Sequence, residues 1–169
     1  MTGGHPAYVL DTNVFVEAAR RYYAFDIAPG FWQALIEQAG TGQIQSIDRV
    51  KAEIDRGEDD LKAWANSSFH LWFASTDENE VIDAYSRIIE WANKEKQFTG
   101  PAKAEISRGD NADAWLVAYA LSKECVVVTH EQHDRNAKAR IPIPNVCLAF
   151  GVHWVDVYQM LRALRVRLC

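Results

Sequence analysis

The stretch Tyr8-Val9-Leu10-Asp11-Thr12-Asn13 predicts the start of an alternating α/β fold. Its apolar beginning is typical of a short buried strand, and the polar triplet Asp11-Thr12-Asn13 predicts a turn after that strand. Beyond the turn, Val14 and Ala18 have the spacing of one helix face. The chain therefore opens as strand, turn and helix, with Asp11 at the carboxyl end of the strand.

The same alternation continues through the first third of the chain. Pro29-Gly30 interrupts the pattern, and apolar residues within 31–39 then form the stripe of a second amphipathic helix. Ile44–Ile47 alternates between apolar and polar residues, as a short strand does. Asp48 follows as the predicted N-cap of a helix that includes Glu53.

The rest of the chain extends the alternating order. Residues 59–96 are predicted to be helical, and a polar connection containing Gly100-Pro101 and Gly109 follows. Residues 113–123 have the apolar pattern of a strong helix, whereas residues 125–129 are typical of a strand buried on both faces. A strand-like piece at 145–148 and a terminal helix at 155–164 complete an order that favours a parallel sheet between helical layers.

Length and composition favour one domain over residues 1–169. The chain has 169 residues, of which 49% are hydrophobic, which is enough for one well-buried core. No apolar run approaches the ~20 residues that a membrane span requires. Residues 1–6 lack the basic and apolar regions of a secretory signal, so we expect a cytoplasmic protein with no membrane partner.

The charge and the cysteines exclude two simple classes of protein. A net charge of −5 is the opposite of what a protein that coats nucleic acid carries, so a polyanionic substrate would need local basic residues or bound cations. Lys138 and Arg140 are among the candidate basic pairs. Cys125, Cys147 and Cys169 are widely spaced and odd in number, which favours buried reduced thiols over a disulfide framework or a zinc site.

Four carboxylates are predicted to meet at one edge of the sheet. Asp11 and Glu131 each follow a predicted strand, Asp113 begins the helix that leads into the second of these strands, and Glu53 lies early in its helix. Ligands of open parallel sheets bind outside the carboxyl ends of the strands. Clustered carboxylates repel one another unless a cation binds, and oxygen ligands alone favour Mg²⁺ or Mn²⁺.

Each acid also has an ordinary structural interpretation. Asp11 could be a helix N-cap, and Asp113 a first-turn acid stabilised by the helix dipole. Glu53 could be a solvated helix residue, and Glu131 an acid of a surface loop. Asp110 lies three residues before Asp113 and could be a ligand, a helix cap or a group that supports the ligands.

Three stretches of the chain resemble the PIN-domain nucleases. Val9-Leu10-Asp11-Thr12-Asn13-Val14-Phe15 looks like the opening of these proteins, and Asp113-Ala114-Trp115-Leu116-Val117-Ala118-Tyr119-Ala120 looks like their acidic helix start. Val126-Val127-Val128-Thr129-His130-Glu131 is similar to their apolar strand followed by Thr, any residue and an acid. The resemblance spans residues 8–164. It points to a PIN-like subgroup of mostly uncharacterised bacterial and archaeal proteins that are considered toxins of toxin–antitoxin pairs.

The resemblance implies a three-layer α/β/α fold with a central parallel sheet, and endonucleolytic cleavage of RNA that depends on Mg²⁺ or Mn²⁺. The catalytic acids would be Asp11, Glu53, Asp113 and Glu131, and the metal ligands would be Asp11, Asp113 and Glu131. Asn13 and Thr129 would be polar supports, with Asp110 near them. The implied partner is an antitoxin protein, and a homodimer is one assembly that the sequence allows.

One residue departs from the family pattern. The last acid of PIN domains is usually Asp, whereas this chain has Glu131. The longer side chain would shift the metal or act through a water. Two other classes of protein compete with the nuclease: a catalytically silent PIN-like module that binds RNA or protein, and a phosphoacceptor receiver domain. The receiver chemistry needs an early acidic pair and a Lys after the last strand, and neither is evident.

Overall fold

A parallel β-sheet forms the centre of the computed structural model, which describes residues 7–168. Its five strands are β1 (Tyr8–Leu10), β2 (Ile44–Ile47), β3 (Phe73–Ala74), β4 (Val126–Val128) and β5 (Trp154–Val155). Their order in the sheet is β3-β2-β1-β4-β5, and every neighbouring pair is parallel. The parallel sheet predicted from the sequence is therefore confirmed.

Helices connect the strands and flank the sheet, as predicted for an α/β/α fold. They are α1 (Thr12–Glu17), α2 (Pro29–Gly40), α3 (Asp48–Asp55), α4 (Asp60–Trp64), α5 (Asn79–Lys94), α6 (Gly100–Ile106), α7 (Asp113–Lys123), α8 (Ile143–Phe150) and α9 (Val157–Ala163). Short π-helical turns follow α1 and α4. None of the helices within residues 7–168 combines the length and the apolar character needed to cross a membrane.

The central position of α7 follows from its sequence. Every residue from Ala114 to Ala120 is buried, so the helix is apolar on all sides, as expected of a helix enclosed within a core. It packs against α5 and α8 and also contacts β1, β2 and β4. Its first residue, Asp113, is thereby held beside the carboxyl ends of the central strands.

The strand predicted at residues 145–148 is wrong, because these residues belong to α8. Pro144 lies in the first turn of α8, where a missing backbone N–H costs nothing, and Gly151 ends the helix with a left-handed φ of 69°. The fifth strand instead lies after the helix, at Trp154–Val155, where it pairs with β4. A strand of two residues is too short to show a periodic pattern.

The polar connection predicted around Gly100-Pro101 is also wrong, because it contains α6. Thr99 is the N-cap, and its side-chain oxygen accepts a hydrogen bond from the Ala102 amide at 3.2 Å. Thr followed by Pro in the first helical turn is a recognisable helix start, and this signal could have identified α6 from the sequence.

The predicted helix cap at Asp48 does not form. Asp48 is already inside α3, and its carboxylate instead accepts hydrogen bonds from the backbone N–H and the hydroxyl of Thr76, at 3.1 and 2.8 Å. Thr76 is buried and follows β3 closely in the chain. Asp48 therefore fastens the chain beyond β3 to the start of α3.

The cysteines within residues 7–168, Cys125 and Cys147, are buried free thiols. Burial raises the pKa of the Cys125 thiol and that of the Cys147 thiol, so both resist ionisation. Cys169 lies outside the described residues.

We expect Asp48→Ala to lower the free energy of unfolding by about 1–3 kcal/mol, because the buried amide and hydroxyl of Thr76 lose their acceptor. Urea denaturation followed by circular dichroism measures the change. Asp83→Ala is the matched control, since Asp83 is exposed on α5, and it should change stability by less than about 0.5 kcal/mol. Equal losses in the two variants would contradict this role of Asp48.

Candidate active site

The predicted acids gather where the order of the strands reverses. From β1 the chain proceeds to β2 and β3 on one side of the sheet, and it later returns to β4 and β5 on the other side. Such a switch point opens a crevice at the carboxyl ends of the strands, where ligands of open α/β sheets bind. Asp11 directly follows β1, and Glu131 lies shortly after β4.

Asp11 is buried, with 3% of its surface exposed. Its backbone N–H donates to the Val128 carbonyl at 3.0 Å, which extends the pairing of β1 with β4. One carboxylate oxygen, Oδ2, accepts a hydrogen bond from the Thr129 hydroxyl at 3.1 Å. Although Asp11 occupies the N-cap position of α1, its side chain makes no capping hydrogen bond to that helix. The ordinary interpretation as a helix cap therefore does not explain why this carboxylate is buried.

Asp113 begins α7, and the residues before it are tightly held. The Asn111 side-chain oxygen accepts a hydrogen bond from the Asp113 amide at 2.8 Å. The other end of the Asn111 amide donates to the Glu105 carbonyl at 3.0 Å. Asn111 thus joins the end of α6 to the start of α7, and the Asp113 carboxylate is presented from a held backbone.

Glu53 connects the starts of two helices. Its Oε1 accepts a hydrogen bond from the Thr12 hydroxyl at 2.6 Å, and its Oε2 accepts one from the Ala112 amide at 3.0 Å. Thr12 is the first residue of α1, and Ala112 directly precedes α7. The carboxylate of Glu53 therefore holds the segments that carry Asp11 and Asp113 side by side.

Glu131 is held from two directions. Arg140 Nη2 donates to its Oε2 at 2.5 Å, and the Ile143 backbone N–H donates to its Oε1 at 2.9 Å. The backbone N–H of Glu131 in turn donates to the Thr129 hydroxyl oxygen at 3.1 Å. Thr129 thus contacts both Asp11 and Glu131, whereas Asn13, the other predicted support, lies exposed on the first turn of α1.

Asp110 is not the cap of α7. The N-cap position is occupied by Ala112, and the Asp110 carboxylate lies 2.9 Å from Arg108 Nε and 3.8 Å from Arg56 Nη2. Its side chain is 60% exposed. The hydrogen bond from Arg108 lowers the pKa of Asp110, so this acid stays ionised in an exposed ion pair.

The buried acids repel one another. Burial raises the pKa of Asp11 well above its ordinary value, and the negative charges of Asp113 and Glu131 raise it further. The hydrogen bond from Thr129 opposes these effects. Glu53 makes a smaller contribution in the same direction as the other acids. All four predicted acids are therefore close enough to interact electrostatically.

The pKa of Asp113 is raised to about 7, and burial is the largest cause of this rise. The nearby charges of Glu131 and Glu53 add to this rise, Arg140 opposes it, and Glu105 contributes a small rise of its own. A position at a helix N-terminus favours an ionised carboxylate, so desolvation and repulsion outweigh the helix dipole here. The site has an excess of negative charge that a cation would relieve.

The donor set suits a hard divalent cation that keeps part of its water shell. Within residues 7–168, no three His, Cys, Asp or Glu side chains converge closely enough to enclose a metal as they stand. The oxygens of Glu53 and Glu131 are already hydrogen-bonded, whereas Asp11 is buried, Asp113 is half-buried, and desolvation disfavours the charge of both. Mg²⁺ commonly binds through one or two carboxylates and several waters, so these two residues fit such an ion.

A surface groove borders the acids. It has a volume of about 470 Å³, and its walls include Glu131, Gln132, Lys138 and Arg140. Arg140 also lines a recess of about 10 Å³ together with Asp113, which is close to the size of one water. A larger cavity, of about 520 Å³, lies along α5 and does not include these acids.

Several residues of the site were missed from the sequence. Thr12 binds Glu53, Asn111 binds the Asp113 amide, and Arg140 binds Glu131. Thr12 had a signal, because it directly follows Asp11 in the predicted turn. Asn111 also had one, since Asn before a helix commonly accepts a hydrogen bond from a nearby backbone amide. Arg140 was predicted only as one of the candidate basic residues, and its contact with Glu131 had no signal, because it lies in an irregular segment with no periodic pattern.

Comparison with known proteins assigns the chain to a family and shows which solved structures share its fold. The model of the family described as "Domain of unknown function (DUF4411)" matches residues 8–168. No curated protein matches the chain in sequence.

Solved structures share the fold at low sequence identity. The structure of FitAcB from Neisseria gonorrhoeae has a TM-score of 0.55 and 18% identity, with 89% of this chain and 98% of that chain covered. VapBC2 from Rickettsia felis, bound to a DNA fragment from their promoter, has a TM-score of 0.55 and 12% identity over the same shares. FitAB bound to an IR36 DNA fragment has a TM-score of 0.54 and 16% identity, with 88% and 94% covered.

These likenesses agree with the parallel sheet and with the resemblance found in the sequence. With its family model matched over residues 8–168, this chain belongs to the DUF4411 family, and its fold is that of the PIN-like proteins.

Proposed function

We propose that this protein is a divalent-metal-dependent endoribonuclease and the toxin of a toxin–antitoxin pair. The observation that supports this most directly is the placement of buried Asp11 and half-buried Asp113, both with raised pKa values, at the switch point of a PIN-like sheet. Structural ion pairs do not explain this arrangement, since the burial of like charges costs stability unless a cation joins them.

In this proposal Asp11 and Asp113 hold Mg²⁺ or Mn²⁺, and Glu53 and Glu131 complete the acidic site. The bound cation would supply Lewis-acid activation of the phosphodiester and of the attacking water. Thr129 orients Asp11, and Glu53 keeps the starts of α1 and α7 together. The expected products of hydrolysis carry a 5′-phosphate and a 3′-hydroxyl.

A catalytically silent PIN-like module is the alternative, and one observation favours it. Both oxygens of Glu131 accept hydrogen bonds, from Arg140 and from the Ile143 amide, so the charge of this acid is already stabilised without a metal. Such a module would bind RNA or protein through the same surface without cleaving RNA. Metal-dependent cleavage separates the two functions.

We expect the purified protein to cleave single-stranded RNA in the presence of Mn²⁺ or Mg²⁺. Cleavage should cease when EDTA is added, because the proposed chemistry needs a tightly ordered cation. Ca²⁺ should not support cleavage, since its looser coordination suits this reaction poorly. Asp113→Asn should reduce cleavage by at least about 100-fold. Labelled RNA on denaturing gels gives the rates.

Asp110→Asn is the matched control for that experiment. It makes the same chemical change three residues away, at an exposed acid that is paired with arginines instead of other acids. This variant should keep most of the wild-type rate. Cleavage that persists in excess EDTA, or an Asp113→Asn variant as active as Asp110→Asn, would overturn the metal mechanism. A wild-type protein without any cleavage would favour the silent module.

We expect the metal-free protein to lose stability as the pH rises from the ordinary Asp value of 3.8 towards about 7. Asp113 keeps its proton in the folded state over this window, whereas the unfolded chain has released it, so rising pH favours unfolding at this group. Asp11 shifts in the same direction. Urea denaturation in EDTA at a series of pH values, compared between wild type and Asp113→Asn, isolates this contribution.

Metal provides the complementary measurement. Mn²⁺ at a hundred times its dissociation constant should stabilise the wild-type fold near neutral pH by about 2.7 kcal/mol, and Asp11→Asn and Asp113→Asn should gain clearly less. In EDTA the same two variants should be at least as stable as wild type, because each removes a repelling charge. Identical pH profiles and identical Mn²⁺ responses in all three proteins would mean that these carboxylates do not form one site.

The proposed partner is a small antitoxin encoded next to this protein, which covers or distorts the acidic edge. FitAB and VapBC2, whose folds are similar, are bound to DNA in their structures, which supports an assembly of more than one component here. We expect co-expression of the neighbouring gene product to yield a complex on size-exclusion chromatography and to suppress RNA cleavage and growth arrest. The same chromatography tests the homodimer. Unchanged activity and growth with every neighbouring gene product would count against the antitoxin.

A further inference from the structure

Arg140 joins the acidic site to the neighbouring groove. Arg140 and Asp113 line the same small recess. Arg140 also lines the groove of about 470 Å³, which contains Lys138 and Gln132. A polymer strand that passed from the acids into this groove would therefore run past Arg140.

The contact with Glu131 leaves most of this guanidinium available. A guanidinium has five N–H donors, and among the described residues Arg140 donates from Nη2 to Glu131. The Arg140 side chain is 54% exposed, whereas that of Glu131 is 11% exposed. The acid is thus the enclosed member of the pair, and the base is the exposed member whose remaining donors can reach a ligand.

The geometry holds Arg140 in place in two ways. Its counter-ion is oriented by a second donor, the Ile143 amide at the start of α8. The backbone before it is also held, because Gln97 donates to the Ala137 carbonyl at 2.9 Å and the Thr99 amide donates to the Lys138 carbonyl at 2.9 Å. A binding side chain on a supported backbone loses little conformational freedom when its ligand arrives.

The departure of Glu131 from the family pattern has a physical purpose in this arrangement. An Asp at this position would be shorter by one C–C bond, about 1.5 Å, and could not keep both contacts without a shift of the backbone. Glu reaches Arg140 and the Ile143 amide together. The extra length of Glu131 allows both of these contacts to form.

We propose that Arg140 binds a non-bridging phosphate oxygen of the RNA backbone next to the cleavage site, and that Glu131 is the positioning residue that orients it. This inference rests on the proposed ribonuclease function. A planar guanidinium with parallel donors matches a phosphate better than a lysine does. The acids Glu131 and Asp134 border the same groove, so recognition depends on direct hydrogen bonds more than on a broad positive field.

Binding of RNA without cleavage provides the test. Fluorescence anisotropy with a labelled single-stranded RNA and Mg²⁺ would be measured on Asp113→Asn protein, which the proposed function makes inactive. Adding Arg140→Ala should weaken binding about tenfold. The slope of log K against log salt should fall by about 0.7, the value for one phosphate contact on a single strand. Arg140→Lys should restore only part of the affinity.

Two further variants separate positioning from other roles. Glu131→Asp keeps the negative charge but shortens the side chain, so it should weaken RNA binding about as much as Arg140→Ala does. The variant that combines Glu131→Asp with Arg140→Ala should bind RNA no more weakly than either single variant. The Mn²⁺-induced rise in melting temperature should persist in Glu131→Asp made in the wild-type background. Arg87→Ala removes the same charge from α5, where Arg87 lies over Phe150, and should leave RNA affinity unchanged.

The outcomes distinguish this proposal from the proposed function. Wild-type cleavage combined with full RNA affinity and an unchanged salt slope in Arg140→Ala would overturn the phosphate contact and leave the nuclease standing. Arg140-dependent RNA binding without wild-type cleavage would support the contact in a silent module. Tighter RNA binding or faster cleavage in Arg140→Ala would show that Arg140 blocks the site. Additive losses in the double variant would overturn the positioning role of Glu131.

Discussion

Pairing of β1 with a parallel neighbour on each side is the constraint from which the rest of the site follows. β2 and β4 pair with β1 on its two sides and helices cover the faces of the sheet, so Val9 and Leu10 are fully buried and Asp11 leaves the strand in a place already shielded from water. The connections on the two sides of β1 diverge, so a crevice opens at its carboxyl end. The apolar helix α7 then brings Asp113 to this crevice from behind the sheet. Strand pairing and helix packing therefore bring the acids together, and the hydrogen bonds of Glu53 hold the starts of α1 and α7 beside each other.

Bringing the four acids together costs electrostatic free energy. The surrounding hydrogen bonds offset this cost more for some of the acids than for others. Glu53 has partners for both oxygens in Thr12 and the Ala112 amide. Asp11 receives a hydrogen bond from Thr129 but remains deeply buried beside other negative charges. Hydrogen bonds stabilise the charge of Glu53, and the ion pair with Arg140 stabilises that of Glu131. The uncompensated negative charge is therefore concentrated on the inner pair of acids, Asp11 and Asp113. A cation stabilises the fold most when it binds where the repulsion between like charges is strongest.

Sequence patterns predicted the helices and strands that consist of buried apolar residues. They failed where proline, glycine or helix caps determine whether a segment is a helix or a strand. β1, β4 and α7 were predictable because burial leaves a strong hydrophobic signal. The segment at 145–148 was apolar enough to suggest a strand, but the prolines before it and Gly151 after it make it a helix. The approach of the four acids was predictable from topology alone. The partners of these acids were not, because the pairing of Arg140 with Glu131 depends on the path of an irregular segment.

That irregular segment, residues 129–142, carries both members of the Glu131–Arg140 pair and contains neither helix nor strand. Its ends are anchored by β4 and α8, and residues 132–136 and 138–140 between them are exposed, so changes at these positions need not disturb the sheet or the inner carboxylates. Natural selection can therefore vary this part of the site independently of the rest. Proteins that share this scaffold could keep the same inner acids while they exchange the residues along the groove, and so diverge in the ligands they accept without refolding their core.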